Sequence, residues 1–378
     1  MNADDVLRRI DGGSVDGLVA YVKKLGGDER REVARRLPGH LAELRDGGWE
    51  AARRVRGRAT HYRVAGAACM GGAEQVATWL NRRELRWVEP EADTARIMSV
   101  LADRPEEWRR DLAVRLVRRL RPATGPVWQR VESRGNWDLA AALVIETGVE
   151  PPESDAFVSG WVSRRAEQHC TNQGPALDDD PLLDHMLPRV FQAQGVAEGL
   201  VWDRGLWEVT FIGRIVALAA TGRVSRRMLL DGCASRFLTG VDASDAAPFV
   251  TLWRELRPEP AEIPVVDFVR MLPSASSPVV QLGLEELRRA EQALDGELFA
   301  EAVQALAYRP EKKYVAAAVK WIAAAPPSRG ALAVAALAPV FDVDTLRERA
   351  VRVAVKLAPH VAAPDGEEIR AAAARLPA

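Results

Sequence analysis

"KKYVAAAVKWI", residues 312–322, reads as a helix that begins at two lysines and buries one stripe, because Val315, Val319 and Ile322 recur at the four- and three-residue steps of a single helix face. The same phase returns on either side of it. In "SPVVQLGLEEL", residues 277–287, the equivalent positions are Val280, Leu284 and Leu287, and in "LRERAVRVAVKL", residues 346–357, they are Ala350, Ala354 and Leu357. Leu287, Ile322 and Leu357 are therefore separated by 35 residues twice over. That period fits two short helices and their turns, so it predicts a repeating helix pair whose apolar stripe is covered when neighbouring pairs stack.

Working outward, the chain shows the same grammar throughout. Turn and capping stretches such as "LGGDER", "CMGGAE", "RLRPATGP", "TGVDASDA" and "LPSASSP" recur every fifteen to twenty residues, each joining a glycine or proline to a capping Ser, Asp or Asn. No stretch alternates cleanly as a strand would, and aromatics are only 6%, which leaves helix as the reading of the apolar periodicity. The sequence predicts an all-α fold of roughly 17 to 20 helices, an α-solenoid of antiparallel pairs with HEAT-like repeats most regular in the C-terminal third. "TGVEPPESDA" (147–156) and "TNQGPALDDD" (171–180) are candidate linkers or long inter-repeat loops. We expect a basic helical region over 1–150 and an acidic repeat region over 151–378, continuous with the first.

Charge supports that division. Residues 1–135 hold 27 Lys and Arg against 20 Asp and Glu, so a chain whose net charge is −1 carries +7 in its first third and −8 in the rest. Such a split can steer an acidic partner to one end. The strongest basic feature is "EEWRRDLAVRLVRRLRP" (106–122), where Leu112, Leu116, Val117 and Leu120 share one helix face and Arg115, Arg118 and Arg119 project from the other. "RRVRGR" (53–58) adds to it. These arginines are either a solvated face or a contact for an acidic partner or nucleic acid. Lys312 and Lys313 pose the same choice: two lysines in a first turn oppose the helix dipole, so either a solvated or ion-paired turn or a partner contact holds them there.

Catalytic signatures are sparse. The sequence has no GxxxxGK[ST], no GxSxG and no HExxH. The densest set of ligand-type residues is His169, Cys170, Asp178, Asp179, Asp180, Asp184 and His185; a metal or a Cys-His nucleophile could be built from it, but acids after a Gly-Pro loop and before Pro181 read first as helix caps. Cys69, Cys170 and Cys233 lie far apart without CxxC and read as buried apolar residues. Most of the eleven tryptophans fall in apolar stripes and read as core, and any on a concave face would be binding anchors. We expect no cofactor, no metal and no catalytic residue. No apolar run approaches the ~20 residues of a membrane helix, and the acidic start "MNADDVLRRIDGG" is unlike a signal peptide, so the expected location is cytoplasmic.

"WDRGLWEVTFIGRIVALAATGRVSRRMLLDGCASRFLTG", "LWRELRPEPAEI", "VRMLPSASSPVVQLGLEEL" and "YRPEKKYVAAAVKWI", with "VAGAACMGGAEQVATWLNRREL" and "FVSGWV", resemble an uncharacterised helical-repeat family of high-GC, actinobacteria-type bacteria over residues 5 to 358. Longer members of that family continue beyond the point where this sequence stops. The resemblance implies an α-solenoid and a setting among SWIM zinc-finger, MoxR-type ATPase and von Willebrand A proteins, which favours an assembly component over a free-standing enzyme. It carries over no catalytic residue.

Two functional readings follow. In one the protein is a non-enzymatic scaffold or adaptor that binds another protein, with Arg115, Arg118, Arg119, Lys312 and Lys313 as contact residues. In the alternative it is a nucleic-acid-binding HEAT-like module of the DNA glycosylase type, for which "WDRGLW" and "NWDLA" supply Trp-Asp neighbours.

Overall fold

A computed structural model describes residues 2–45, 48–86, 88–121, 135–170, 176–200, 210–362 and 365–374. Every element assigned among them is an α-helix or a 3-10 turn, so the all-α reading is correct. None of the described helices is long and apolar enough to cross a membrane. The chain forms two compact units, residues 1–211 and 212–378.

The first unit holds α1 (Ala3–Gly12), α2 (Val15–Val22), α3 (Gly27–Arg45), α4 (Gly48–Cys69), α5 (Ala73–Leu80), α6 (Pro90–Leu101), α7 (Glu106–Arg119), α8 (Gly135–Thr147), α9 (Asp155–Cys170), α10 (Leu183–Met186) and α11 (Val196–Gly199). The second holds α12 (Phe211–Ala220), α13 (Arg226–Leu238), α14 (Ala243–Leu256), α15 (Val265–Met271), α16 (Ser277–Arg289), α17 (Gly296–Ala307), α18 (Lys312–Ala324), α19 (Pro327–Leu332), α20 (Asp344–Leu357) and α21 (Asp365–Ala373). The described residues thus contain 21 α-helices, slightly above the expected range. The excess comes from pieces such as α10 and α11, where Pro188 and Gly195 divide an apolar stretch into single turns that a periodicity of 3.6 cannot register.

Local chemistry starts these helices where the turn residues stand. Asn2 accepts from the Asp5 amide at 2.9 Å, Ser14 from Gly17 at 3.1 Å, Ser225 from Met228 at 3.2 Å and Asp295 from Leu298 at 2.8 Å, each occupying an amide that the helix leaves without a partner. Pro90, Pro278 and Pro327 sit in first turns, where a missing N–H is harmless.

In the second unit the pairs α13/α14, α15/α16, α17/α18 and α19/α20 stack in order: α15 lies between α13 and α17, α17 between α15 and α19, and α14 packs on α16 as α18 does on α20. Leu287, Ile322 and Leu357 occupy matching positions on α16, α18 and α20, and all three are buried. Val280, Val315 and Ala350 are buried as well, whereas Ala354 is half-buried and its neighbour Val355 exposed. The 35-residue register therefore marks a real stack that loosens at α20.

In the first unit α4 is the hub, packed by α1, α2, α3, α5 and α6, and α6 and α8 continue the layer while α5 and α7 form the next. Two glycines let a helix approach closely here. The Trp79 indole of α5 lies on the α4 backbone at Gly66 and donates from Nε1 to the Tyr62 carbonyl at 2.8 Å; the Trp137 indole of α8 lies on Gly160 of α9 and donates to the Phe157 carbonyl at 2.9 Å. A Cβ at either glycine would overlap the indole. Gly66→Ala should therefore lower the stability of the protein by about 1–3 kcal/mol, whereas Gly57→Ala, in open space on the same helix, should be neutral or stabilising by up to about 1 kcal/mol, both read from urea unfolding.

A second device appears in both units and carries the same three residues. Arg104-Pro105-Glu106 leads into α7, with Glu106 its first residue, and Arg309-Pro310-Glu311 leads into α18, with Glu311 its N-cap. Arg104 donates to the Ala68 and Met70 carbonyls at 3.0 and 2.8 Å, stacks on Trp108, and Trp108 Nε1 donates to the Gly71 carbonyl at 2.8 Å. Arg309 donates to the Leu272 and Pro273 carbonyls at 2.7 and 3.3 Å, stacks on Tyr314, and the Tyr314 hydroxyl bonds to Ser277. In each case an arginine in the turn of one pair holds the C-terminal carbonyls of the first helix of the preceding pair, which are groups that an α-helix cannot satisfy internally. The stack is thus fastened by polar joints as well as by apolar stripes.

Candidate functional site

The basic face of α7 turns out to be largely engaged within the first unit. Arg115 binds Asp111 through Nε at 2.9 Å and reaches Glu74 of α5; Arg119 reaches the same Glu74 and donates to Thr78 at 3.3 Å. Two guanidinium contacts on one carboxylate hold Glu74 below the usual carboxylate range, led by the bond from Arg119. On the opposite flank Arg109 pairs with Glu146 of α8, and Arg110 pairs with Glu106 and donates to the Thr147 carbonyl at 3.0 Å. These arginines tie α5, α7 and α8 together. Arg118 is exposed and makes no side-chain ion pair among the described residues. Of the three residues expected to act together, the structure leaves one exposed without an ion pair among the described residues.

Lys312 and Lys313 are both exposed at the start of α18. Neither forms an ion pair among the described residues; Lys313 Nζ lies 4.7 Å from the Tyr314 ring centroid, and the nearby Glu311 is taken by Arg309 through bonds of 2.9 and 2.8 Å. Tyr308, at the end of α17, is 58% exposed beside them. An ion pair thus does not hold the lysine pair in this first turn.

The densest chemistry lies elsewhere, in a polar seam that crosses α4, α6, α8 and α9. Arg63 of α4 has no exposed surface and binds Asp93 of α6, itself buried, at 2.8 Å; the same guanidinium donates to the Leu80 carbonyl at 3.1 Å and to Asn136 of α8 at 3.0 Å. Burial pushes the Asp93 carboxyl up, and the Arg63 charge pulls it back. One step along, Arg164 of α9 serves three carboxylates: Asp138 of α8 at 2.9 Å, Glu167 at 3.2 Å, and Glu91 of α6. Arg165 and the Trp161 indole both donate to Asp180 at 2.6 Å, and Asp180 also accepts from the Leu182 amide at 2.9 Å. Alternating charges carried by successive stacked helices fix their register, since shifting one helix would leave a buried charge unpaired.

The seam was poorly visible in the sequence. Asp138 stood out as part of "NWDLA", and Asp180 as an expected cap, a role its bond to Leu182 fulfils in part. Arg63 carries one signal, an arginine in phase with Ala59, Gly66 and Ala67 on an otherwise apolar stripe, but nothing marked Asp93 as its complement, nor Arg164 as that of Asp138 and Glu91. The side chains of His169 and Cys170 lie outside the described residues, as does "WDRGLWEV" (202–209) with Trp202 and Trp207. No group of three His, Cys, Asp or Glu that could hold a metal occurs among the described residues. Cys69 and Cys233 are buried, and burial pushes the Cys69 thiol up to about 12, far from a nucleophile's range. Trp79, Trp137, Trp161, Trp253 and Trp321 are core, as the apolar stripes require, whereas Trp49 is 74% exposed with Arg53 over its ring.

Comparison with protein-family models, with curated proteins and with solved structures finds no match to the chain.

Proposed function

We propose that the protein is a non-enzymatic scaffold that binds an acidic protein partner through exposed cations on its stacked helix pairs. The observation that carries this reading is the contrast between two sets of charges: the buried arginines of the first unit are ion-paired, whereas Arg118 and the pair Lys312 and Lys313 are exposed and form no ion pair among the described residues. Lysines that oppose a helix dipole and form no ion pair among the described residues, with Glu311 taken by Arg309, leave a place for an anion supplied from outside. Arg115 and Arg119 keep a supporting part, holding the helix that presents Arg118. The resemblance to an uncharacterised bacterial helical-repeat family adds the expectation that the partner belongs to a multi-protein assembly with a SWIM zinc-finger or MoxR-type ATPase component. The nucleic-acid reading is less favoured, because Glu74 and Asp111 neutralise two of the α7 arginines that would have met phosphate.

The test is binding of candidate assembly partners and of duplex DNA to wild type and to Arg118→Glu and Lys312→Glu/Lys313→Glu variants at low and high salt. Each variant should weaken partner binding roughly 2–5-fold at low salt, with the difference shrinking at high salt, while unfolding stability stays within about 0.5 kcal/mol. Partner binding untouched by either variant, or tight duplex binding that falls steeply with salt, would sink the scaffold reading. Reversing Arg115 or Arg119 is not a clean test, since it would place further carboxylates against Glu74.

A further inference from the structure

From His61 onward α4 is buried on every side, whereas between Trp49 and Gly57 only Ala51 and Val55 are buried. The outward face of that first half carries Trp49, Arg53 and Arg56 at the four- and three-residue steps of one stripe, with Glu50 and Arg54 beside it, and all five are exposed. The other described tryptophans are buried or half-buried, and half-buried Trp108 spends its indole N–H on the Gly71 carbonyl. Trp49 instead meets a cation: the Arg53 guanidinium lies 5.8 Å from its ring centroid. Arg53 and Arg54 form no ion pair among the described residues, and Glu50, one turn before Arg54, is not paired with it. A Cβ at Gly57 would meet nothing within 4 Å, so the stripe ends in open space. From Arg53 to Arg58 the helix has four arginines and no acid.

We propose that the first half of α4 is a docking surface for an acidic protein segment, which seats an apolar side chain against the Trp49 ring and pairs its carboxylates with Arg53 and Arg54. This rests on the scaffold reading and deepens it, adding to the first unit a surface that uses none of Arg118, Lys312 and Lys313. A tryptophan offers a large, rigid apolar area with few rotatable bonds to freeze, and an arginine fork matches a carboxylate with two parallel bonds, which is why these two residue types dominate the energetics of protein contacts. Arg53 is already stacked on the ring, so pairing it with a carboxylate orders little more. The excess of arginine over acid along 53–58 selects an acidic segment over a basic one. A nucleic-acid strand is the less suited occupant: Trp49 to Arg56 spans about 10 Å, shorter than the roughly four or more nucleotides that single-strand sites follow, and Glu50 at its head would face a phosphate.

The experiment titrates labelled probes at low and high salt: an octapeptide of glutamates with one central phenylalanine, the same peptide with alanine in that place, and an octamer of oligothymidylate. Wild type should bind the phenylalanine peptide about 5–10-fold more tightly than the alanine peptide, and Trp49→Ala should abolish that preference. Arg53→Glu/Arg54→Glu should weaken both peptides about 5–10-fold at low salt, with the gap closing at high salt. Both variants should keep the wild-type urea midpoint, because the side chains they change are exposed. Several results overturn the proposal: no peptide binding at low salt, a phenylalanine preference that survives Trp49→Ala, peptide binding untouched by the arginine reversal, or a lowered midpoint in Trp49→Ala, which would assign the ring to packing. Oligothymidylate held more tightly than either peptide and released by Trp49→Ala overturns it in favour of a strand. Arg118→Glu and Lys312→Glu/Lys313→Glu separate its failure from that of the scaffold reading. They should leave the phenylalanine preference intact; if they alone weaken the peptides, the scaffold reading stands and the α4 surface falls.

Discussion

Replacing Arg63 by alanine is expected to destabilise the protein by about 3–5 kcal/mol, the cost of leaving a buried partner charge uncompensated. Arg63 and Asp93 are both fully enclosed, and the guanidinium also donates to the Leu80 carbonyl and Asn136, so a single truncation takes a donor from polar groups on three helices. The Asp93 carboxyl, already raised by burial, would then lose its principal opposing charge and would be raised further. The variant should consequently gain stability as pH falls, because its folded state would bind a proton that the unfolded chain releases. Urea unfolding of Arg63→Ala across pH measures both effects. The pair Arg63→Met with Asp93→Leu should recover most of the loss, since an apolar pair of similar volume has no desolvation cost; a double variant as unstable as the single would show that the guanidinium bonds to Leu80 and Asn136, and not the ion pair, are what matter.

A comparable loss, about 2–5 kcal/mol, is expected for Ile322→Ala in the second unit. Ile322 is fully buried on α18, in the position that Leu287 takes on α16 and Leu357 on α20. Its truncation removes three carbons from a stripe shared between stacked pairs, and neighbours held by polar joints such as Arg309 to Leu272 are poorly placed to collapse into the space. Leu357→Ala should cost less, because α20 is less covered, as the half-buried Ala354 and exposed Val355 show. Equal losses at 322 and 357 would mean that the three positions are buried by unrelated surroundings and not by a common stack.

What made these stripes legible in advance is that helical burial is periodic. Val280, Val315 and Ala350 repeat because each helix must hide one face, and such a repetition survives even where the residue types drift. Capping residues were equally plain, since an Asn2 or Ser14 bond to an amide three residues on involves only local geometry. The α7 arginines mark the limit of that approach. Their projection away from Leu112 and Leu116 was correct as helix geometry, but whether they face water depends on α5, and Glu74 meets Arg115 from 41 residues away and Arg119 from 45.

The sequence by itself determined that the chain is helical, roughly where its helices begin, and which 35-residue spacing relates three of them, because each of these follows from interactions within about one turn or from a period repeated along the chain. Tertiary structure alone decided which charges are free and which are spent. Arg63 and Asp93 are 30 residues apart, and Arg164 lies 73 residues from Glu91, so their pairing depends on how α4, α6, α8 and α9 stack. An ion pair has no periodicity: it requires one donor to meet one acceptor at about 3 Å, and no local pattern announces the two residues that long-range packing will bring together.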